Sequence, residues 1–244
     1  MLLFLASNIG GIKKENGKKV STKFFEDNMF LTNLKKSIKN NKKFVLVASN
    51  PEIYEMNDLF LQMDIDALKL SGLSFDEYIV LDNRNKINIE YALKDSSLIF
   101  LCGGNTKMQN DFFNEIELGK YLKDVDSVVV GISAGSINCA KDAFNSPECN
   151  EDLKDSPYLN GLDLTNINIE PHFVLDDLDN DNKILQRNSI IDESYKRTIY
   201  ALTDGAYILE TNNSSTLFGK SYKISNGIIS QICDDEEYVD IIKE

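Results

Sequence analysis

Apolar residues along this chain fall into two kinds of pattern. Short, largely apolar runs occur at residues 2–6, 44–48, 78–81, 98–101 and 127–131, and each reads as a buried strand. Between them lie longer stretches in which apolar side chains recur every three or four positions. Residues 24–39 carry Phe25, Met29, Leu34 and Ile38 at this spacing. Residues 57–70 carry Leu59, Phe60, Met63, Ala67 and Leu70, and residues 109–122 form a third such segment. The spacing predicts helices. Strands that are apolar at successive positions are buried on both faces, as in a parallel sheet covered by helices on its two sides.

After about residue 145 the pattern changes. Residues 145–160 are polar and turn-rich, and residues 176–182 are dominated by Asp and Asn. Short strands are then predicted at 198–202, 206–210, 216–218, 221–224 and 228–232, with Asn226-Gly227 as a tight hairpin turn between the last two. No linker, repeat or low-complexity block interrupts the chain. The expectation is one α/β domain over residues 1–244: three-layer α/β/α, a mainly parallel central sheet and a C-terminal antiparallel strand appendage.

Composition narrows the class. The 244 residues can bury a sizeable core, and 42% hydrophobic with 27% charged residues is ordinary for a globular chain. Acidic residues outnumber basic ones 39 to 26, for a formal charge of −13. A field of that sign repels nucleic acid and anionic membranes, so neither is expected as a partner. Cys102, Cys139, Cys149 and Cys233 form no CxxC pair and read as reduced thiols of a cytoplasmic protein. The apolar start, MLLFLASNIGG, is too short to span a membrane and lacks the basic flank of a signal peptide; it reads as a first strand.

The sharpest chemical feature is Gly131-Ile132-Ser133-Ala134-Gly135, directly after Val128-Val129-Val130. A GxSxG pattern at a strand-to-helix junction is a nucleophile elbow: small neighbours allow the tight turn that lifts the serine hydroxyl off the carboxyl edge of the sheet. The Ala134 N–H faces the same point and can stabilise an oxyanion. His172, the chain's one histidine, is the base such a serine requires. It lies in Asn168-Ile169-Glu170-Pro171-His172-Phe173, at a strand end beside a polar loop. A third motif, Gly103-Gly104-Asn105-Thr106, follows the 98–101 strand. Its backbone N–H groups would leave the same sheet edge, with Gly104 the expected partner of Ala134 in an oxyanion hole and Asn105-Thr106 able to cap the next helix. For the acid that orients the histidine, Asp204, Asp176, Asp177 and Glu148 are all candidates by position.

Together these motifs resemble the peptidase E (aspartyl dipeptidase) and cyanophycinase family of serine peptidases, in the same order and at similar spacing, over roughly residues 1–210. The resemblance implies a fold similar to class I glutamine amidotransferases, and a triad in the order Ser133, His172, acid. Asp204 falls where the family places that acid, with Glu148 near a second position used by some members. It implies hydrolysis of small peptides, of Asp-X type in the named members, with no metal or cofactor. Cys102 stands where related chains often carry a third glycine. Arg187, Arg197 and Lys141 are candidates by type for the cation of an aspartyl pocket. An esterase or acyl transferase on the same elbow, or a binding protein that retains the fold, are the alternatives, and a homodimer is left open.

Overall fold

The computed structural model describes residues 1–176 and 183–241. The N-terminal half contains β1 (Leu2–Ala6), β2 (Gly10–Glu15), β3 (Lys18–Phe24), α1 (Phe30–Ser37), β4 (Lys43–Val47), α2 (Tyr54–Leu70), β5 (Glu77–Leu81) and α3 (Ile89–Leu93). It continues through β6 (Leu98–Leu101), α4 (Thr106–Glu115), α5 (Leu118–Lys123), β7 (Val128–Ile132) and α6 (Ala134–Ile137). The second half has β8 (Asp142–Phe144), β9 (Tyr158–Asn160), β10 (Asn168–Glu170), α7 (Ile184–Glu193), β11 (Ile199–Leu202) and β12 (Tyr207–Glu210). The chain closes with β13 (Ser215–Phe218), β14 (Ser221–Ser225), β15 (Ile228–Cys233) and β16 (Tyr238–Ile241).

Eight strands form the central sheet in the order β16-β13-β12-β1-β7-β6-β4-β5. From β1 to β5 the pairings are parallel, while β12, β13 and β16 extend the β1 side antiparallel. Alternation along each strand divides the core into two layers. Leu3, Leu5, Val45, Val47, Ile99 and Val129 pack with Phe112, Phe113, Leu118 and Leu122 of α4 and α5. Phe4, Phe44, Leu46, Phe100 and Val130 pack on the other face with Phe30 and Leu34 of α1 and Ala67 and Leu68 of α2. The three-layer, mainly parallel architecture expected from the apolar runs is present.

The antiparallel C-terminal strands expected from the sequence are present, and they divide between two sheets. β12, β13 and β16 join the central sheet, while β11, β14 and β15 pair with β10 in a separate four-stranded sheet. The turn at Asn226-Gly227 has φ of 52° and 77°, the left-handed pair a two-residue hairpin requires.

Two predicted helices are shorter than the spacing suggested. Within 24–39, only Phe30–Ser37 is α-helical. The preceding segment folds into the β2–β3 hairpin at Asn16-Gly17 (φ 49° and 79°), and Phe24 closes β3. Asn28 and Met29 are left-handed, held by Asn28 Nδ2 donating to the Gly205 carbonyl. The 109–122 segment is two helices, broken where Glu117 takes φ 51°. No described helix is long and apolar enough to cross a membrane.

Candidate active site

Strand ends from both sheets converge here. β7 ends at Ile132 beside β1 and β6, and Ser133 follows with φ 52° and ψ −112°. A non-glycine residue held there stores strain, as a nucleophile elbow does. The turn is locked from several sides. The Ser133 N–H donates to the Ala6 carbonyl at 2.9 Å, and Ser136 Oγ bonds both the N–H and the carbonyl of Ala6. A Cβ on Gly135 would lie 2.2 Å from the Leu101 carbonyl oxygen, and one on Gly131 would lie 2.7 Å from Ser136 Cα, so both flanking glycines are required by close packing. The helix that starts at Ala134 is a single turn, Ala134–Ile137. Its dipole is correspondingly small, and stabilisation of charge at this point rests on individual N–H groups.

His172 and Asp204 come from the smaller sheet. β10 and β11 are parallel neighbours, so their carboxyl ends emerge side by side, carrying Pro171-His172 and Thr203-Asp204. The Phe173 N–H donates to the Leu202 carbonyl at 3.0 Å and ties the two ends together. His172, at φ 55°, directs its ring toward β7. His172 Nε2 lies 2.9 Å from Ser133 Oγ, and His172 Nδ1 lies 2.6 Å from Asp204 Oδ1. With the proton on Nδ1 donated to the carboxylate, Nε2 is free to accept from the Ser133 hydroxyl. Ser7 and Asn8, just past β1, complete the arrangement. Ser7 Oγ accepts the His172 backbone N–H at 2.8 Å and donates to Asp204 Oδ1 at 3.0 Å, while Asn8 Nδ2 donates to Asp204 Oδ2 at 3.2 Å.

The electrostatics follow from these contacts. The His172 hydrogen bond is the largest cause holding the Asp204 carboxyl down at about 2, with Asn8 and Ser7 assisting against partial burial. Asp204 in turn raises the His172 imidazole above its ordinary 6.5, through its hydrogen bond first and its charge second, with smaller contributions from Glu148 and Glu170.

Of the other acid candidates, Glu148 is exposed and acts on His172 only through its charge, while its backbone N–H donates to Asp152. Asp176 lines a cavity beside His172 without bonding to it. Asp177 lies outside the described residues. Gly103 abuts Ser133: a Cβ there would sit 3.4 Å from Ser133 Cβ. Gly104, at φ 149°, packs against Ser49, where a Cβ would meet Oγ at 2.5 Å. Asn105 caps α4, its Oδ1 accepting the Met108 N–H at 2.8 Å. Beneath the elbow, Asn138 donates to the Thr106 carbonyl and to Gln109, binding α6 to the start of α4.

Two cavities reach neighbours of Ser133, on the His172 side and on the Gly103 side, and neither is lined by Ser133 itself. One, of about 470 Å³, is lined by His172, Phe173, Asp204, Lys220 and Tyr222 among others. The other, of about 270 Å³, lies between the β2–β3 hairpin and α2 and reaches Cys102, Gly103 and Ile132. Arg187, Arg197 and Lys141 line neither. Arg197 is engaged elsewhere, with Glu193 and the Asp142 carbonyl. Among the described residues, no group of three or more His, Cys, Asp and Glu side chains could hold a metal ion.

Residues missed from sequence are Ser7 and Asn8. Their signal was a polar pair directly after an apolar strand, at the edge where the elbow was expected.

The fold is a mainly parallel sheet covered on both faces, with a strained serine at a strand end and a histidine within hydrogen-bond reach. The family model of peptidase family S51 matches residues 17–218, and the chain belongs to that family. No curated protein matches the sequence. Among solved structures, a peptidase from an acI-B1 Actinobacterium is similar with a TM-score of 0.67 and 15% identity, covering 98% of this chain and 96% of that one. A protein from Listeria monocytogenes EGD-e named for peptidase E is similar with a TM-score of 0.59 and 15% identity, over 95% of this chain and 98% of that one.

Proposed function

We propose that the chain is a cytoplasmic serine peptidase that hydrolyses small peptides through an acyl-enzyme on Ser133. The observation that carries this reading is the continuous hydrogen-bonded path from Ser133 Oγ through His172 to Asp204. His172 Nε2 takes the hydroxyl proton as Ser133 attacks the peptide carbonyl. Asp204 keeps the other ring proton on Nδ1 and stabilises the imidazolium that forms. The Ala134 N–H, first of its helix and so without an intrahelical acceptor, and the Gly104 N–H hold the oxyanion. His172 then protonates the leaving amine, and later activates the water that releases the acid product.

Because His172 must reach the leaving nitrogen, the leaving residue lies on its side of Ser133, in the cavity lined by Phe173, Tyr222 and Lys220. Lys220 makes no ion pair with any described residue, so its ammonium suits the terminal carboxylate of a short leaving segment. This supports a dipeptide-scale substrate over a protein.

The reading is tested by turnover of a dipeptide panel, Asp-X members included, against a panel of short-chain esters. Peptide turnover that outpaces ester turnover and disappears in Ser133→Ala supports it. Ester turnover alone reassigns the elbow to an esterase.

A further inference from the structure

The smaller cavity contains a carboxyl group that nothing described neutralises. Asp64, on α2, lines it together with Leu46, Phe60, Val80 and Ile9. Among the described residues Asp64 makes no hydrogen bond and no ion pair. Lys19 shares the cavity, but its ammonium sits 4.5 Å from the Phe60 ring centroid and pairs with no described carboxylate. Desolvation alone pushes the Asp64 carboxyl up to about 7. It lies close to Cys102, one residue before Gly103: after burial, the Asp64 charge is the next cause raising the Cys102 thiol.

The position relative to the chemistry fixes which part of a substrate meets this carboxyl. The leaving residue occupies the His172 side of Ser133, so the residue whose carbonyl is attacked lies toward Gly103 and Ile132, which line the Asp64 cavity. The volume suits one amino-acid side chain. Leu46, Phe60, Val80 and Ile9 can sheath a methylene stem, and with the Lys19 ammonium held over the Phe60 ring the unpaired Asp64 carboxyl favours a positively charged end over a neutral one.

Resting on the peptidase reading, we infer that the cavity between α2 and the β2–β3 hairpin is the subsite for the acyl-side residue, and that Asp64 selects a positively charged group there. A lysine or arginine side chain supplies such a group, and so does a free α-ammonium. Each would be drawn by the net charge of −13 and would pair with a carboxylate that otherwise has no partner. An aspartate side chain in the same place would meet a like charge and be disfavoured.

The test measures binding without turnover. Full-length Ser133→Ala protein is titrated calorimetrically with Lys-Ala, Leu-Ala and Asp-Ala and with the N-acetylated Lys-Ala and Leu-Ala, and the titrations are repeated with Asp64→Asn added. Lys-Ala is expected to bind at least about ten-fold tighter than N-acetyl-Leu-Ala, with Asp-Ala weaker than Lys-Ala. Asp64→Asn is expected to abolish the preference for the charged ligands. N-acetyl-Lys-Ala binding tighter than N-acetyl-Leu-Ala assigns the charge to the side chain; Leu-Ala binding tighter than N-acetyl-Leu-Ala assigns it to the α-ammonium. Equal binding of charged and uncharged ligands, or a preference that survives Asp64→Asn, overturns the inference. The single Ser133→Ala protein decides the first of these even if the double variant fails to fold. An Asp64-dependent preference in a protein that hydrolyses no peptide would retain the subsite and remove only the peptidase reading.

Discussion

The Ser7 hydroxyl donates to the Asp204 carboxylate, Oγ to Oδ1 at 3.0 Å, across 197 positions of sequence. The same hydroxyl accepts the backbone N–H of His172. One side chain at the end of β1 therefore fixes both Asp204 and His172 relative to the strand beside Ser133. Ser7→Ala is expected to lower kcat by about ten-fold with little change in KM, because it loosens the alignment of His172 and leaves substrate contacts alone. Steady-state kinetics on the best dipeptide read this split.

The pH profile follows from the direction of two shifts. His172 must be neutral to accept the Ser133 proton, and Asp204 holds its pKa above 6.5. The acid limb of kcat/KM is therefore expected above pH 6.5. Asp204→Asn is expected to move that limb to lower pH while reducing kcat by roughly 10²- to 10⁴-fold. The pair's effect on stability has its own window. The His172 contribution is complete below 6.5 and lost as pH rises through its elevated pKa. The Asp204 contribution is complete above 3.8 and lost as pH falls through about 2. Thermal melts of wild type and Asp204→Asn should differ most between those limits.

Glu170, two residues before His172, is buried with Ser146 Oγ and Gln186 Nε2 both donating to its Oε1 at 2.8 Å. Glu170→Ala strands both donors and is expected to cost about 1–3 kcal/mol in denaturant unfolding. Burial also pushes the Glu170 carboxyl up to about 7, so the folded chain binds this proton more tightly than the unfolded chain does. Stability from this group falls as pH rises from 4.5 through 7. In Glu170→Gln, the drop in Tm between pH 5 and pH 8 should be smaller than in wild type.

Under the proposed function, Lys220→Met should raise KM for dipeptides several-fold while leaving C-terminally amidated peptides little affected, since these lack the terminal carboxylate the proposal pairs with Lys220. Equal effects on the two substrate classes would assign Lys220 a packing role.

Much of this was legible along the chain, and the reasons differ by residue. Ser133 and Gly103-Gly104 were visible because tight turns at strand ends demand small residues. His172 was visible because a serine needs a base and the chain has one imidazole. The choice of Asp204 over Glu148 depended on β10 and β11 being parallel neighbours, a pairing between separated segments that local patterning does not encode. The β2–β3 hairpin was missed although Asn16-Gly17 is the same turn signal as Asn226-Gly227. Its flanks, Lys13-Lys14 and Lys18-Lys19, interrupt the apolar alternation that marks a strand. Ser7 gains its role from three segments meeting, and Asp64 from the cavity it lines, so neither stands out in the linear pattern.

Labelling with a fluorophosphonate probe, located by peptide mass mapping, tests the central claim most directly. The account predicts a single adduct on Ser133, loss of dipeptide turnover in proportion to labelling, and strongly reduced labelling in His172→Ala. An unlabelled Ser133 in a protein that still cleaves dipeptides, or undiminished turnover in Ser133→Ala, would contradict it.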